Sequence, residues 1–335
     1  MLTNNLLSKR KKMMTWTGII MLLAVFLLPM TGYIATGFAT AGVEQDHATN
    51  PKADYWRQVR NNTTGYSAVK GRETNELIQG SGQNWRELRN GPIALYGSWL
   101  IGGTLAILAL FYIWRGKVEL IHPRTGNTVA RWSAKERRMH WLTAGVFIIL
   151  ATTGLSLLYG RAVLIPLFGH YGFSIYADIA KLLHNILGPV FIVALFSMVI
   201  NWFKQNLLNR IDLQWFMGFG GMVGNKHPSA EKLNGGEKMW FWSLVFIGFT
   251  LSVTGLVLDF PNFDQQRELL QLSHLIHVTT ALVLIAFAFG HIYIGTIGTE
   301  GALEGMVSGN VDTAWAQQHH DLWLKELERK GLVDK

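Results

Sequence analysis

Cysteine is absent from this 335-residue sequence. That excludes structural disulfides, iron–sulfur clusters and covalently attached c-type haem within the chain. Any metal it holds must be bound by His, Met or carboxylate. Charge is scarce as well: Asp, Glu, Lys and Arg make up 16% of the residues, against about a quarter in a soluble domain. The deficit falls in long apolar runs, and 49% of the chain is hydrophobic, so a bilayer is the expected solvent. Acid is the rarer sign, leaving a net charge of +8. This balance does not indicate nucleic acid, because the basic residues cluster between apolar runs, where they set topology.

Lys9, Arg10, Lys11 and Lys12 precede an apolar run from Trp16 to Met30, and Ala39-Thr40-Ala41 offers a small-x-small cleavage pattern. Residues 1–41 read as a signal peptide or, uncleaved, as an anchor helix. Residues 42–92 are polar and carry both signs of charge. They are expected on the periplasmic side, with Tyr55, Trp56, Tyr66 and Trp85 facing either a partner or the membrane interface. Apolar spans follow at about 93–114, 139–159, 179–203, 239–258 and 270–297, each long enough to cross a bilayer. Pro166, Pro228 and Pro261 mark hairpin or loop material between the last four.

Basic residues orient these spans. Arg115, Lys117, Arg124, Arg131, Lys135, Arg137 and Arg138 crowd the loop 115–138, and the connection 204–238 holds five Lys or Arg against three acids. The connections 160–178 and 259–268 hold one each, Arg161 and Arg267. Basic loops stay in the cytoplasm, so both basic loops and the tail 298–335 are expected there, in a multi-pass protein of a bacterial inner membrane. In that tail, His319 and His320 are adjacent and share no helix face. They read as part of a solvated or partner-facing segment, not as a metal pair.

Four of the eleven His residues, His140, His184, His277 and His291, lie inside or at the edges of the last four spans. Imidazoles in a bilayer are costly, and four on one four-helix unit need a joint explanation. His277 and His291 are fourteen residues apart, within about 40° of one helix face and about 21 Å apart along the axis. One helix thus presents a ligand near each membrane face. His274 is turned about 100° away from His291 and is rejected. Depth pairs His184 with His277 on the outer side and His140 with His291 on the inner side. Two bis-His sites stacked in a bundle suit two haem b groups. Zinc would want four ligands together, and bis-His iron has no open position, so electron transfer is the expected chemistry. Gly188 and Gly295 lie four residues after His184 and His291, and Gly154 and Gly255 occupy the other spans. These glycines serve either a flat macrocycle or tight helix contact. The fold class is an all-α integral membrane protein: a four-helix di-haem bundle over 139–297, plus one or two additional N-terminal transmembrane helices.

The motifs Arg137-x-x-His140-Trp141, Lys181-Leu182-Leu183-His184 and Leu275-Ile276-His277 with His291 resemble the ligand positions of the cytochrome b (gamma) subunit of respiratory formate dehydrogenases. The first of these is shared with membrane hydrogenase cytochromes. More specific are Asn234-Gly235-Gly236-Glu237-Lys238-Met239-Trp240-Phe241-Trp242 and the tail Trp315-Ala316-Gln317-Gln318-His319-His320. The resemblance covers about 131–330. It implies a periplasmic molybdenum or tungsten catalytic (alpha) subunit that oxidises formate, which this chain does not do itself. It also implies an iron–sulfur (beta) subunit that feeds the outer haem, and reduction of menaquinone or ubiquinone at the inner haem with protons taken from the cytoplasm. By position, Asn234 and Gly236 would line the quinone site; read from the residues alone, Asn234-Gly235 is a turn signal. The chain departs from its shorter relatives by about 115 residues at the front. Two other readings compete: a cytochrome b serving another oxidoreductase such as hydrogenase, and a transporter with a His-lined relay.

Overall fold

The computed structural model describes residues 53–61, 80–223, 227–263 and 265–333. The expected signal peptide or anchor, residues 1–41, lies outside the described residues. Among the described residues four helical runs are long and apolar enough to cross a membrane: Ser81–Arg115, Ala134–Asn206, Gly235–Asp259 and Arg267–Gly298. Ile113, Phe196, Phe246 and Phe249 on these runs are each at least 65% exposed, a surface suited to lipid and not to water.

A short helix, α1, spans Ala53–Arg60. Helix α2 (Gly80–Leu88) passes through a π-helical turn (Arg89–Ile93) into α3 (Ala94–Arg115). The span expected to begin at residue 93 is therefore helical from residue 80. Pro92 does not end it: the Ala94 N–H reaches back to the Arg89 carbonyl, and the wider turn accommodates a residue with no donor of its own. Then come strand β1 (Thr128–Ala130), helix α4 (Ala134–Trp202), α5 (Arg210–Met217), α6 (Gly235–Asp259) and α7 (Arg267–Tyr293). The C-terminal part holds α8 (Ala302–Ser308), β2 (Asn310–Asp312), α9 (Thr313–His319) and α10 (Asp321–Arg329).

The described residues divide into two compact units. Those up to Gly102, with Ala151–Asn185 and Thr254–Thr279, form the first; Gly103–Leu150, Ile186–Val253 and Thr280–Lys335 form the second. In the first, the long α4 changes direction at Gly169 (φ 68°, ψ 174°). The Tyr176 hydroxyl donates to Ser156 Oγ at 2.7 Å, and the Phe173 ring fills the space a Gly160 side chain would need. Residues before the break thus face residues after it, as in the two arms of an antiparallel hairpin. The helix runs on through Pro166, expected to mark the loop, because the reversal needs a positive φ that glycine adopts at little cost. The fully buried Tyr159 donates its hydroxyl to the Ala94 carbonyl at 3.0 Å, and Arg89 donates to the Leu157 carbonyl at 3.2 Å.

In the second unit, α4 starts at a capping box. Ser133 Oγ accepts from the Glu136 N–H, and the Glu136 carboxylate accepts from the Ser133 N–H at 2.8 Å. Trp132, Val146, Phe191, Leu195, Trp202, Phe241 and Leu284 build its core. β1 pairs antiparallel with β2, Val129 opposite Val311. This ties the basic loop to the tail, which corrects the expectation of a solvated tail: Trp315, Trp323 and Leu324 are buried with Val129 and Val311, and His320 is 1% exposed. Two tryptophans and a strand partner outweigh the mixed charge that suggested solvent, since those charges sit on the opposite helix face.

Candidate functional site

The four span histidines meet in two pairs, each inside one unit. In the first unit the His184 and His277 ring centroids are 6.3 Å apart. Thr153 Oγ1 lies 2.8 Å from His184 Nδ1, and Thr254 Oγ1 lies 3.1 Å from His277 Nδ1. The residue after each threonine is a glycine. A Cβ on Gly154 would stand 3.3 Å from His184 Cε1, and one on Gly255 would stand 3.3 Å from His277 Cε1. The rejected His274 has another function here: its Nδ1 accepts from Trp85 Nε1 at 3.3 Å.

In the second unit the His140 and His291 ring centroids are 6.2 Å apart. His140 Nδ1 is buried with no hydrogen-bond partner. The His291 ring stacks on Trp240, centroids 4.9 Å apart and planes 11° from parallel. A side chain on Gly145, Gly188, Gly290 or Gly295 would meet nothing within 4 Å. Both pairs fit axial ligation of a haem iron. With about 2 Å from metal to nitrogen and about 1.2 Å from nitrogen to ring centre, two axial imidazole centroids stand about 6 Å apart. Among the described residues no three or more His, Asp or Glu gather where they could hold a bare metal ion.

Asn234 precedes α6, the helix whose Trp240 stacks on His291. Its Oδ1 accepts from the Glu237 N–H, and its own N–H donates to the Glu237 carboxylate, both at 3.0 Å. Gly235 and Gly236 have no Cβ to collide with Trp215 and the Asp212 carbonyl. This end of α6 is held by a network the sequence did not announce. Arg131 Nη2 donates to Glu237 Oε1 (2.9 Å), to the Lys232 carbonyl (2.9 Å) and to His320 Nε2 (3.0 Å). His320 donates from Nδ1 to the Glu231 carbonyl at 2.7 Å, so its Nε2 is the acceptor. Burial, and next the charge of Arg131, push the His320 pKa down to about 4. Burial, and next His320, push that of His319 down to about 3. Both imidazoles are therefore neutral at pH 7. The fully buried Lys238 ammonium bonds Asp212 at 2.9 Å and Glu231 at 3.2 Å.

A single signal could have exposed the threonine contacts, the repeat of Thr-Gly-Leu at 153–155 and 254–256. Nothing in the linear pattern points to the Arg131 network, whose members are spread over some 190 residues.

Residues 131–309 match the family described as prokaryotic cytochrome b561. The chain belongs to this family of haem b membrane proteins. It is 30% identical over 207 residues to the nitrate-inducible formate dehydrogenase cytochrome b556(Fdn) subunit of Escherichia coli (strain K12), covering 60% of this chain and 92% of that one. The cytochrome b556(fdo) subunit of the same organism is 29% identical, over 61% of this chain and 95% of its own. A formate dehydrogenase cytochrome b556 subunit of Haemophilus influenzae is 28% identical, over 59% and 83%. Within the family, then, the chain is a cytochrome b subunit of the formate dehydrogenase kind.

Proposed function

We propose that this chain carries electrons from a periplasmic formate-oxidising unit, by way of an iron–sulfur subunit, to the membrane quinone pool. The observation that carries the reading is the occurrence of two imidazole pairs with centroids 6.2 and 6.3 Å apart. His184 and His277 would hold the outer haem b, and His140 and His291 the inner one. Haem b held by two imidazoles supplies one-electron transfer and has no open position for oxygen. Thr153 and Thr254 fix the outer rings, and Trp240 fixes the plane of His291. Asn234 and Gly236 would border the quinone site. The Asn234 side-chain oxygen is occupied in capping α6, so its amide N–H groups are the donors for a quinone carbonyl. In this reading the membrane is a bacterial inner membrane, and the basic loops favour the cytoplasm for this end and the C-terminus. The kinship with formate dehydrogenase subunits favours formate over hydrogen as the electron source.

The test is an optical redox difference spectrum of native membranes, with formate added first and dithionite afterwards. A b-type signal that appears with formate and disappears on deletion of this chain supports the haems and the donor together. A signal only with dithionite moves the donor to another oxidoreductase. His291→Ala should remove one of two haems; unchanged haem content would sink the ligand assignment.

A further inference from the structure

The two imidazole pairs differ in what holds their second nitrogen. In the first unit, both Nδ1 atoms meet a threonine hydroxyl, 2.8 Å at His184 and 3.1 Å at His277. The glycine after each threonine lets the ring edge come close enough to make that bond. In the second unit, His140 Nδ1 is buried without a partner, and His291 lies flat against an indole. The repeated Thr-Gly serves one pair and not the other.

We infer that Thr153 and Thr254 are positioning residues that set the reduction potential of the His184–His277 site below that of the His140–His291 site. The inference rests on the haem reading above. An imidazole bound to iron through Nε2 keeps its hydrogen on Nδ1, so the threonine oxygen must be the acceptor. A helical hydroxyl can direct its own hydrogen to the carbonyl one turn back, as Thr143 and Ser156 do to Met139 and Thr152. That leaves lone pairs for the ring. An acceptor on Nδ1–H makes the imidazole a stronger electron donor to iron, which favours the ferric state over the ferrous, the two differing by one electron. Two such bonds act at one site. The buried His140 Nδ1 has none, so its site holds an added electron more readily. The side chains thereby make transfer from the outer pair to the inner pair downhill, the direction the proposed function requires.

Potentiometric titration of the two haems in membranes or in the intact complex tests this. Thr153→Val and Thr254→Val keep the branched shape and remove the acceptor. Each single variant should raise the reduced-to-oxidised ratio of the lower-potential haem about threefold at fixed ambient potential. The double variant should raise it about tenfold, equivalent to about 59 mV for one electron. The higher-potential haem should keep its midpoint, and Thr→Ser at either position should restore the lower one. Unchanged midpoints in a double variant with full haem content, or a shift confined to the higher-potential haem, would overturn the inference. Should valine cost haem, near-infrared magnetic circular dichroism of the unsubstituted complex reads the donor strength of the axial imidazoles. Two distinct charge-transfer bands would support the asymmetry, and coincident bands would refute it. Failure of the haem reading itself looks different: no b-type signal, or a haem retained in His277→Ala.

Discussion

Replacing Arg131 with methionine should release the C-terminal segment from the second unit. The Arg131 side chain is 4% exposed and pairs with a Glu237 carboxylate that is 34% exposed. It also lies 4.9 Å from the Trp315 ring centre and 5.3 Å from that of Trp132. Removing one member of a buried ion pair costs about 3–5 kcal/mol. Glu237 can regain some water, which places the loss near the lower bound, and His320 Nε2 forfeits a donor as well. A loss of about 3 kcal/mol multiplies the local opening constant roughly a hundredfold, at about 1.4 kcal/mol per decade. Hydrogen exchange on the amides of α9 and α10 measures this. Arg131→Met should speed it by about two orders of magnitude and leave the first unit unchanged. Adding Glu237→Gln should recover much of the loss, because the penalty lies mostly in the stranded carboxylate. Arg131→Lys should rescue only partly, since an ammonium lacks the planar fork and stacks poorly. Exchange within threefold of the parent protein would refute the claim that this guanidinium holds the tail.

Acid should loosen the same segment. The folded pKa of His320 is about 4, below its ordinary 6.5, so the docked state binds fewer protons than the undocked one between those values. Its stabilisation is complete above about pH 6.5 and is lost as pH falls towards 4, with about 2 kcal/mol gone by pH 5. His319, held down to about 3, acts in the same direction. Protease sensitivity of the tail in membranes should therefore rise between pH 7 and pH 5, and a flat profile would contradict the buried neutral imidazoles. Gly255→Ala would set a methyl 3.3 Å from His277 Cε1. Displacing that ring should cost about 1–3 kcal/mol and lower or shift one haem's absorbance. Gly103→Ala, where a Cβ meets nothing within 4 Å, serves as the control, and equal spectra in both would reject the packing argument.

Periodicity and composition were enough to read the membrane spans and the positions of the four imidazoles. The apolar runs follow from chain length and solvent alone, and the fourteen-residue spacing of His277 and His291 follows from helix pitch. Where helices begin and turn was less legible: residue 93 and Pro166 were read as boundaries, while a π turn carries the helix on through the first and Gly169 makes the reversal. The role of the tail was not legible at all. His319 and His320 stand among charges, and nothing local distinguishes a solvated helix from one whose apolar face finds Val129 beside the three-residue pairing of β1 with β2. The asymmetry between the imidazole pairs was likewise decided in three dimensions. Thr153 and His184 are 31 residues apart, and Thr254 and His277 are 23 apart; helices must pack before a hydroxyl can meet a ring. Local physics sets which residues can be helical and apolar, but a hydrogen bond between distant residues exists only when tertiary packing brings donor and acceptor within 3 Å or so.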